Sequence, residues 1–343
     1  MTGHQRITSA LKGEWPDRRP IMLHNFMMAS HEAGITMKEY RSDSGKAAQV
    51  HIDAVEKYNL DGVLIDFDTA TLAAAVGVPV DDPVNEPSRC SGALLDSLKN
   101  VDELERVDIS GNERVQIWHE TSKLVKKYFG DEIYVRGNCD QLPFSLASMI
   151  RSSENWMVDL LLDEEYSFKL LEYCTDISGQ FIRLMSETGV DMVSNGDSPA
   201  GPDMISPEMY RKYALPFEKK IVDIAHELNL PYTLHICGNT DTILNDMVQT
   251  GADAFELDYK TNINKIHEIC KDRITLMGNI DPSGIIALGN ADEVKEKAME
   301  LLSVYNDSPR FIMNAGCAIP PMTPSENIER LVSVTRSFPI DCS

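Results

Sequence analysis

The chain is short of positive charge. It has 32 lysine and arginine residues against 54 aspartate and glutamate, a formal net charge of -22. Phosphate recognition needs clustered cations, so nucleic acid is excluded as a partner. Long apolar runs are absent too. None approaches the roughly 18 residues of a membrane-crossing helix, and Met1-Thr2-Gly3-His4-Gln5-Arg6 lacks the apolar core of a secretory signal. Cysteine is scarce: seven in 343 residues, an odd number without dense spacing. That argues against a disulfide framework and suits a reducing cytoplasm, with thiols free for a metal. No composition break or flexible linker divides the chain, so one domain over 1–343 is expected. At 43% hydrophobic residues it can bury a sizeable core.

What is present is an alternation. Eight short apolar runs rich in β-formers recur: Pro20 to Leu23, Gly62 to Ile65, Ile133 to Val135, Asp191 to Ser194, Tyr232 to Ile236, Ala254 to Leu257, Ile274 to Met277 and Phe311 to Met313. Between most of them lie stretches with apolar spacing of three and four, among them Ser44 to Tyr58, Pro207 to Glu227, Thr240 to Thr250 and Pro324 to Phe338. Ser206-Pro207 and Thr323-Pro324 each place a capping residue before a proline at the first helical position. Strand alternating with helix eight times predicts a (β/α)8 TIM barrel; a doubly wound open sheet is the alternative. The connections 67–131 and 139–190, after strands two and three, are longer than one helix needs and are expected to form lid elements.

The densest chemical signal is His235-Ile236-Cys237, with Cys317 eighty residues on. Side chains two apart on a strand share a face. One imidazole and two thiolates suit tetrahedral zinc, and three protein ligands leave a fourth position for water or substrate. A core histidine with two inert thiols is the competing reading. Each strand also closes on polar residues, which a barrel would collect at its C-terminal mouth. They are His24 and Asn25; Asp66 and Asp68; Asn138 and Asp140; Asn195 and Asp197; His235 and Cys237; Glu256 and Asp258; Asn279 and Asp281; Asn314 and Cys317. Cys139 reads as a pocket wall. Cys90, Cys174, Cys270 and Cys342 have no partner pattern. His31, His51, His119, His226 and His267 read as solvated.

Three stretches carry a resemblance: His235-Ile236-Cys237-Gly238-Asn239, Gly278-Asn279-Ile280-Asp281-Pro282, and Gly316-Cys317-Ala318-Ile319-Pro320-Pro321-Met322-Thr323-Pro324-Ser325-Glu326-Asn327. With the weaker Asn195-Gly196-Asp197-Ser198-Pro199, they make the chain similar to the uroporphyrinogen decarboxylase superfamily. The His-x-Cys with a distant Cys resembles its zinc-dependent branch, the methylcobalamin:coenzyme M methyltransferases. That resemblance implies zinc at His235, Cys237 and Cys317, and a methyl group moved between corrinoid cobalt and a small thiol or a methoxylated substrate. Asp258, or Glu256, is a candidate fourth ligand by register; either could instead orient His235. Asp197 and Asp281 are candidate catalytic residues that shape the pocket and hold water near zinc. His24, Asn25, Asn195 and Asn279 are candidate pocket residues. Turn and cap roles compete for both aspartates. The chain lacks Asp-x-His-x-x-Gly, the usual cobalamin motif, so the corrinoid is expected on a partner protein. It also lacks the arginine-rich N-terminal segment of the decarboxylases; Pro20 to Met28 contains none. Metal-independent decarboxylation of the uroporphyrinogen type is the alternative activity, and a metal-binding corrinoid chaperone the non-enzymatic one.

Overall fold

A computed structural model describes residues 1–340. Eight parallel strands line up in chain order: β1 (Met22–Leu23), β2 (Gly62–Ile65), β3 (Tyr134–Gln141), β4 (Met192–Gly196), β5 (Tyr232–Ile236), β6 (Ala254–Leu257), β7 (Thr275–Ile280) and β8 (Phe311–Ala315). The ring closes where Ile21 bridges Met313 and the Met313 N–H donates to the Pro20 carbonyl over 2.9 Å. Closure excludes the open sheet and makes this a (β/α)8 barrel.

Alternation along the strands sorts the barrel interior into layers. Met22, Tyr134, Met192, Ala254, Met277 and Ile312 form the lowest, plugged from below by Ile7 and Ala10 of the helix Gly3–Lys12. Arg136, Ser194, Thr233 and Glu256 stand one step higher. His24, Asp66, Asn138 and His235 follow at the mouth. The opposite faces of the strands, with Val63, Val135, Val193, Leu234 and Phe255, pack under the helices in the main core.

Both long connections carry structure. Between β2 and β3 lie Thr71–Ala75, a two-stranded ribbon (Val80–Asp81 with Arg89–Cys90) and Glu113–Phe129. Between β3 and β4 lie Pro143–Arg151, Ser153–Leu162 and Glu164–Ser186.

Several expectations need correction. Pro207 to Glu227 is broken: a π-helical turn, Tyr210–Ala214, separates Pro207–Met209 from Leu215–Glu227. Pro216 has no N–H to donate, which shifts the ladder there. Thr240 to Thr250 holds only Leu244–Met247 and a 3-10 turn. Pro324 stands at the N-cap of Ser325–Ser337, and the Thr323 hydroxyl donates to the Pro320 carbonyl. His51 is fully buried beside the Tyr40 hydroxyl, 2.6 Å away.

Candidate metal centre

β5 places His235 on its inward face, in register between Gly196 of β4 and Glu256 of β6. Glycine at 196 leaves the imidazole room. Cys237 lies one residue past the strand, on the same side. The chain then turns away at Gly238, whose φ of +85° suits glycine; a Cβ there would sit 2.4 Å from Asp203 Oδ2.

Cys317 arrives from the other side of the barrel. After β8, Gly316 donates its N–H to the Ile280 carbonyl and passes so close to β6 that a Cβ would lie 2.8 Å from Tyr259 N. Only glycine allows that approach, and it brings the next side chain over the barrel axis.

The three side chains meet. His235 Nε2 is 3.1 Å from Cys237 Sγ and 3.9 Å from Cys317 Sγ, and the two sulfurs are 3.6 Å apart. A tetrahedral zinc with bonds of about 2.3 Å to sulfur and 2.05 Å to nitrogen requires separations of about 3.8 Å and 3.6 Å. The donors already stand close to that geometry. The competing reading of unrelated buried groups does not account for this convergence. They are the one cluster of histidine, cysteine and carboxylate donors of this kind among the described residues.

The surroundings prepare the donors. His235 Nδ1 is 3.0 Å from the Glu256 carbonyl, which fixes the neutral tautomer and turns Nε2 toward the two sulfurs, where it could bind a metal. Hydrogen bonding from the Cys317 thiol, and then the charge of His235, lower the Cys237 pKa to about 3 despite burial. The Cys317 thiol is pushed up by that neighbouring thiolate and by burial. Burial pulls the His235 pKa down, but the Cys237 thiolate outweighs it and raises it to about 9. Without a metal the group therefore holds one thiolate, one thiol and one imidazolium; a bound cation would replace their protons.

Beneath lies a buried charged network. Glu256 accepts from Arg136 and lies 2.9 Å from His24 Nδ1; His24 Nε2 is 2.6 Å from Asp66 Oδ2. Asn138 donates to the other Asp66 oxygen at 2.8 Å. Burial opposes charge on Glu256, yet Arg136 and His24 hold its carboxyl well below the usual range. Burial likewise opposes charge on His24, and Glu256 and Asp66 raise its pKa to about 10. Arg136 was not visible as a site residue in the sequence; its signal was a lone arginine inside a buried strand.

A cavity of about 400 Å³ opens over the three donors. His24, Glu256, His235, Cys237 and Cys317 line it, as do Asp66, Asp68, Asn138 and Asp140 from the other strand ends. The long connections contribute Pro87 and Met149 to its wall.

Other expected site residues lie elsewhere. Glu256 is not among the donors: its carboxylate is taken by Arg136 and His24 and meets His235 only at Nδ1, 3.7 Å away. Asp258 sits past the end of β6 and accepts from the Gly238 and Lys260 N–H groups, 3.0 Å each. Asp197 points outward and accepts from the Ser145 N–H and hydroxyl at 2.8 and 2.6 Å, at the start of Pro143–Arg151. Asp281 accepts from the Ser283 and Gly284 N–H groups at 2.9 Å, capping the turn Pro282–Ala287. Asn195 bonds Tyr232 and the carbonyl of Cys139, and Asn279 bonds the carbonyls of Asp258 and Thr261. Asn25 stands at the N-cap of Phe26–Glu32. None of these seven side chains but Glu256 lines the cavity. Cys139 is buried away from it, and Cys342 lies outside the described residues.

The family model described as Uroporphyrinogen decarboxylase (URO-D) matches residues 2–338. The chain is 29% identical to methylcobamide:CoM methyltransferase MtbA of Methanosarcina acetivorans, covering 98% of both chains. It is 26% identical to a uroporphyrinogen decarboxylase of Prochlorococcus marinus, over 94% of this chain and 95% of that one. A solved structure, a methyltransferase from Methanosarcina mazei, superposes with a TM-score of 0.89 at 25% identity and 98% coverage of each.

Proposed function

This chain belongs to the uroporphyrinogen decarboxylase (URO-D) family, and from that membership we propose that it is a zinc-dependent methyltransferase. It moves a methyl group between the cobalt of a corrinoid held by a partner protein and a small substrate. That substrate is a thiol acceptor of the coenzyme M type or a methoxylated donor. The observation that carries the reading is the convergence of His235 Nε2, Cys237 Sγ and Cys317 Sγ within 3.9 Å under an open cavity. Similarity to methylcobamide:CoM methyltransferase MtbA supports it.

Zinc at these donors would act as a Lewis acid on a thiol or ether, making a thiolate available at neutral pH or weakening a carbon–oxygen bond. The protein's own residues do the rest. His235, fixed by the Glu256 carbonyl, and the two cysteines leave one position for the substrate atom. Asp258 and Glu256, occupied with other partners, do not compete for it. Phe26, Met27 and Met149 give the cavity an apolar wall. The decarboxylase alternative has little support: the one arginine on the cavity wall, Arg136, is already committed to Glu256, so the carboxylates of a tetrapyrrole would find no free cation there.

Elemental analysis of protein purified without chelator tests the reading. Near one zinc per chain is expected, with most of it lost in Cys317→Ala. The intact protein should also demethylate methylcobalamin in the presence of a thiol. Undiminished zinc in Cys317→Ala removes Cys317 from the site. Decarboxylation of uroporphyrinogen by the metal-free protein would replace the proposal.

A further inference from the structure

The cavity beside the metal group has more acidic than basic side chains on its wall. Apart from the three metal donors, four carboxyl groups line it, Asp66, Asp68, Asp140 and Glu256, against two basic groups, His24 and Arg136. His24 lies between Glu256 and Asp66, and Arg136 is paired with Glu256. Asp68 and Asp140 are left over. Neither has a lysine, arginine or histidine within ion-pair distance among the described residues. Arg41 and Arg114, whose charges are felt at Asp68, are both paired with Asp82.

The two side chains are held in place. Asp68, 4% exposed, accepts from the Ala70 N–H and the Thr71 hydroxyl through Oδ1. Asp140, fully buried, accepts from the Leu72 N–H through Oδ2 at 2.6 Å, while its Oδ1 makes no hydrogen bond of normal geometry and has only the Gln141 amide near by. Asp140 is also held at φ +58°, a left-handed conformation that non-glycine residues rarely adopt. A buried carboxylate oxygen without a donor is costly. Burial pushes both carboxyls up, helped by the charge of Asp66 at Asp68 and by that of Asp68 at Asp140. A cation would remove both penalties at once.

We propose that Asp68 and Asp140 form a subsite for a cationic group, so that the substrate carries an ammonium or alkylammonium at the end remote from the metal. This rests on the metal-dependent reading above and narrows it: a thiol or ether with an amine tail fits, and coenzyme M itself, a thiol with a sulfonate tail, is set aside. Met27, Met149 and Phe26 on the same wall suit the alkyl part of such a molecule. No bond is made or broken at the subsite; it orients the substrate.

The test uses three thiols of equal length: 3-aminopropanethiol, 3-mercaptopropanol and 3-mercaptopropanesulfonate. Each is titrated calorimetrically into protein carrying cobalt(II) in place of zinc, and the cobalt absorption bands report whether the sulfur reaches the metal. The amine is expected to bind at least tenfold more tightly than the alcohol, and the sulfonate more weakly than either. In Asp140→Asn the amine-to-alcohol ratio should fall toward one. Because the same thiols are compared in both proteins, their intrinsic acidities cancel. Asparagine keeps the acceptor for Leu72 and tolerates a positive φ better than most residues. Asp68→Asn serves if that variant fails to fold.

Equal affinities, a preference for the sulfonate, or an amine preference that survives both substitutions overturns the cation subsite. A preference for the amine with unchanged cobalt bands upholds the subsite and refutes thiol ligation at the metal instead.

Discussion

Replacing Asp197 with asparagine separates a catalytic carboxylate from a structural one. Asp197 is fully buried; Oδ1 is taken by Ser145, and Oδ2 faces Glu218 with no other donor. Burial raises its pKa from 3.8 to about 7, and burial together with Asp197 pushes Glu218 up further. A carboxyl whose folded pKa is raised binds its proton more tightly when folded. Its contribution to stability is complete below about pH 3.9, the unfolded value, and is lost as pH rises toward 7. Three pH units at about 1.4 kcal/mol each make about 4 kcal/mol. The substituted asparagine has no such proton to lose but keeps an oxygen for Ser145. The unfolding free energy of Asp197→Asn, relative to the unsubstituted protein, is therefore expected to rise by about 4 kcal/mol between pH 4 and pH 8, with nearly all the slope below pH 7. At about 2.1 cal/mol/K per residue, 343 residues unfold with about 0.7 kcal/mol/K, so the relative Tm should climb by about 6 °C. Urea titrations at five pH values measure the difference directly. Zinc content and methyl transfer per folded molecule should stay unchanged. A pH-independent difference refutes the raised pKa of Asp197. Lost transfer with intact zinc and stability restores Asp197 to the catalytic machinery.

Three further outcomes follow from the same geometry. Arg136→Met leaves Glu256 in the barrel with only the two imidazoles of His24 and His235 near it and should cost about 3–5 kcal/mol in denaturant unfolding, part of which the double variant with Glu256→Leu should recover; a loss under 1 kcal/mol contradicts the pairing. Gly316→Ala places a methyl 2.8 Å from Tyr259 N, which has backbone on both sides and cannot yield. Zinc affinity by chelator competition should drop about 10- to 100-fold, the range of outer-shell changes, with little change in Tm; an unaltered affinity means the loop is free to shift. Stripping the metal should expose Cys237 as a thiolate, since its pKa of about 3 lies far below neutrality while that of Cys317 is raised. Iodoacetamide at pH 6 should then label Cys237 first by peptide mass spectrometry, whereas equal labelling of both cysteines would contradict the hydrogen bond between them.

Much of the barrel was legible because it repeats. Runs such as Tyr232 to Ile236 and Ala254 to Leu257 are apolar on both faces, as strands covered by helices must be. His235 and Cys237 were legible as a pair because a strand alternates strictly. The same alternation, applied to β4, was the signal that was missed. Met192, Ser194 and Gly196 point inward, so Asn195 and Asp197 point out toward the helices. Being polar at a strand end was not enough to put them in the cavity. Asp281 had its turn role written beside it in Asp281-Pro282-Ser283-Gly284, a local pattern that outweighed its place at the mouth.

The sequence by itself determined the order of elements, the identity of the three donors and the shortage of cations, because periodicity, ligand chemistry and charge are local or additive properties. Only the tertiary structure decided which polar strand ends meet. Cys317 joins His235 because Gly316 passes against Tyr259; Glu256 leaves the donor set because Arg136 and His24 reach it across the barrel; Asp140 meets the Leu72 N–H because of where the Thr71–Ala75 helix lies. Each of these is a distance between residues from tens to more than a hundred positions apart in the chain, and such distances are set by packing, which no stretch of sequence contains.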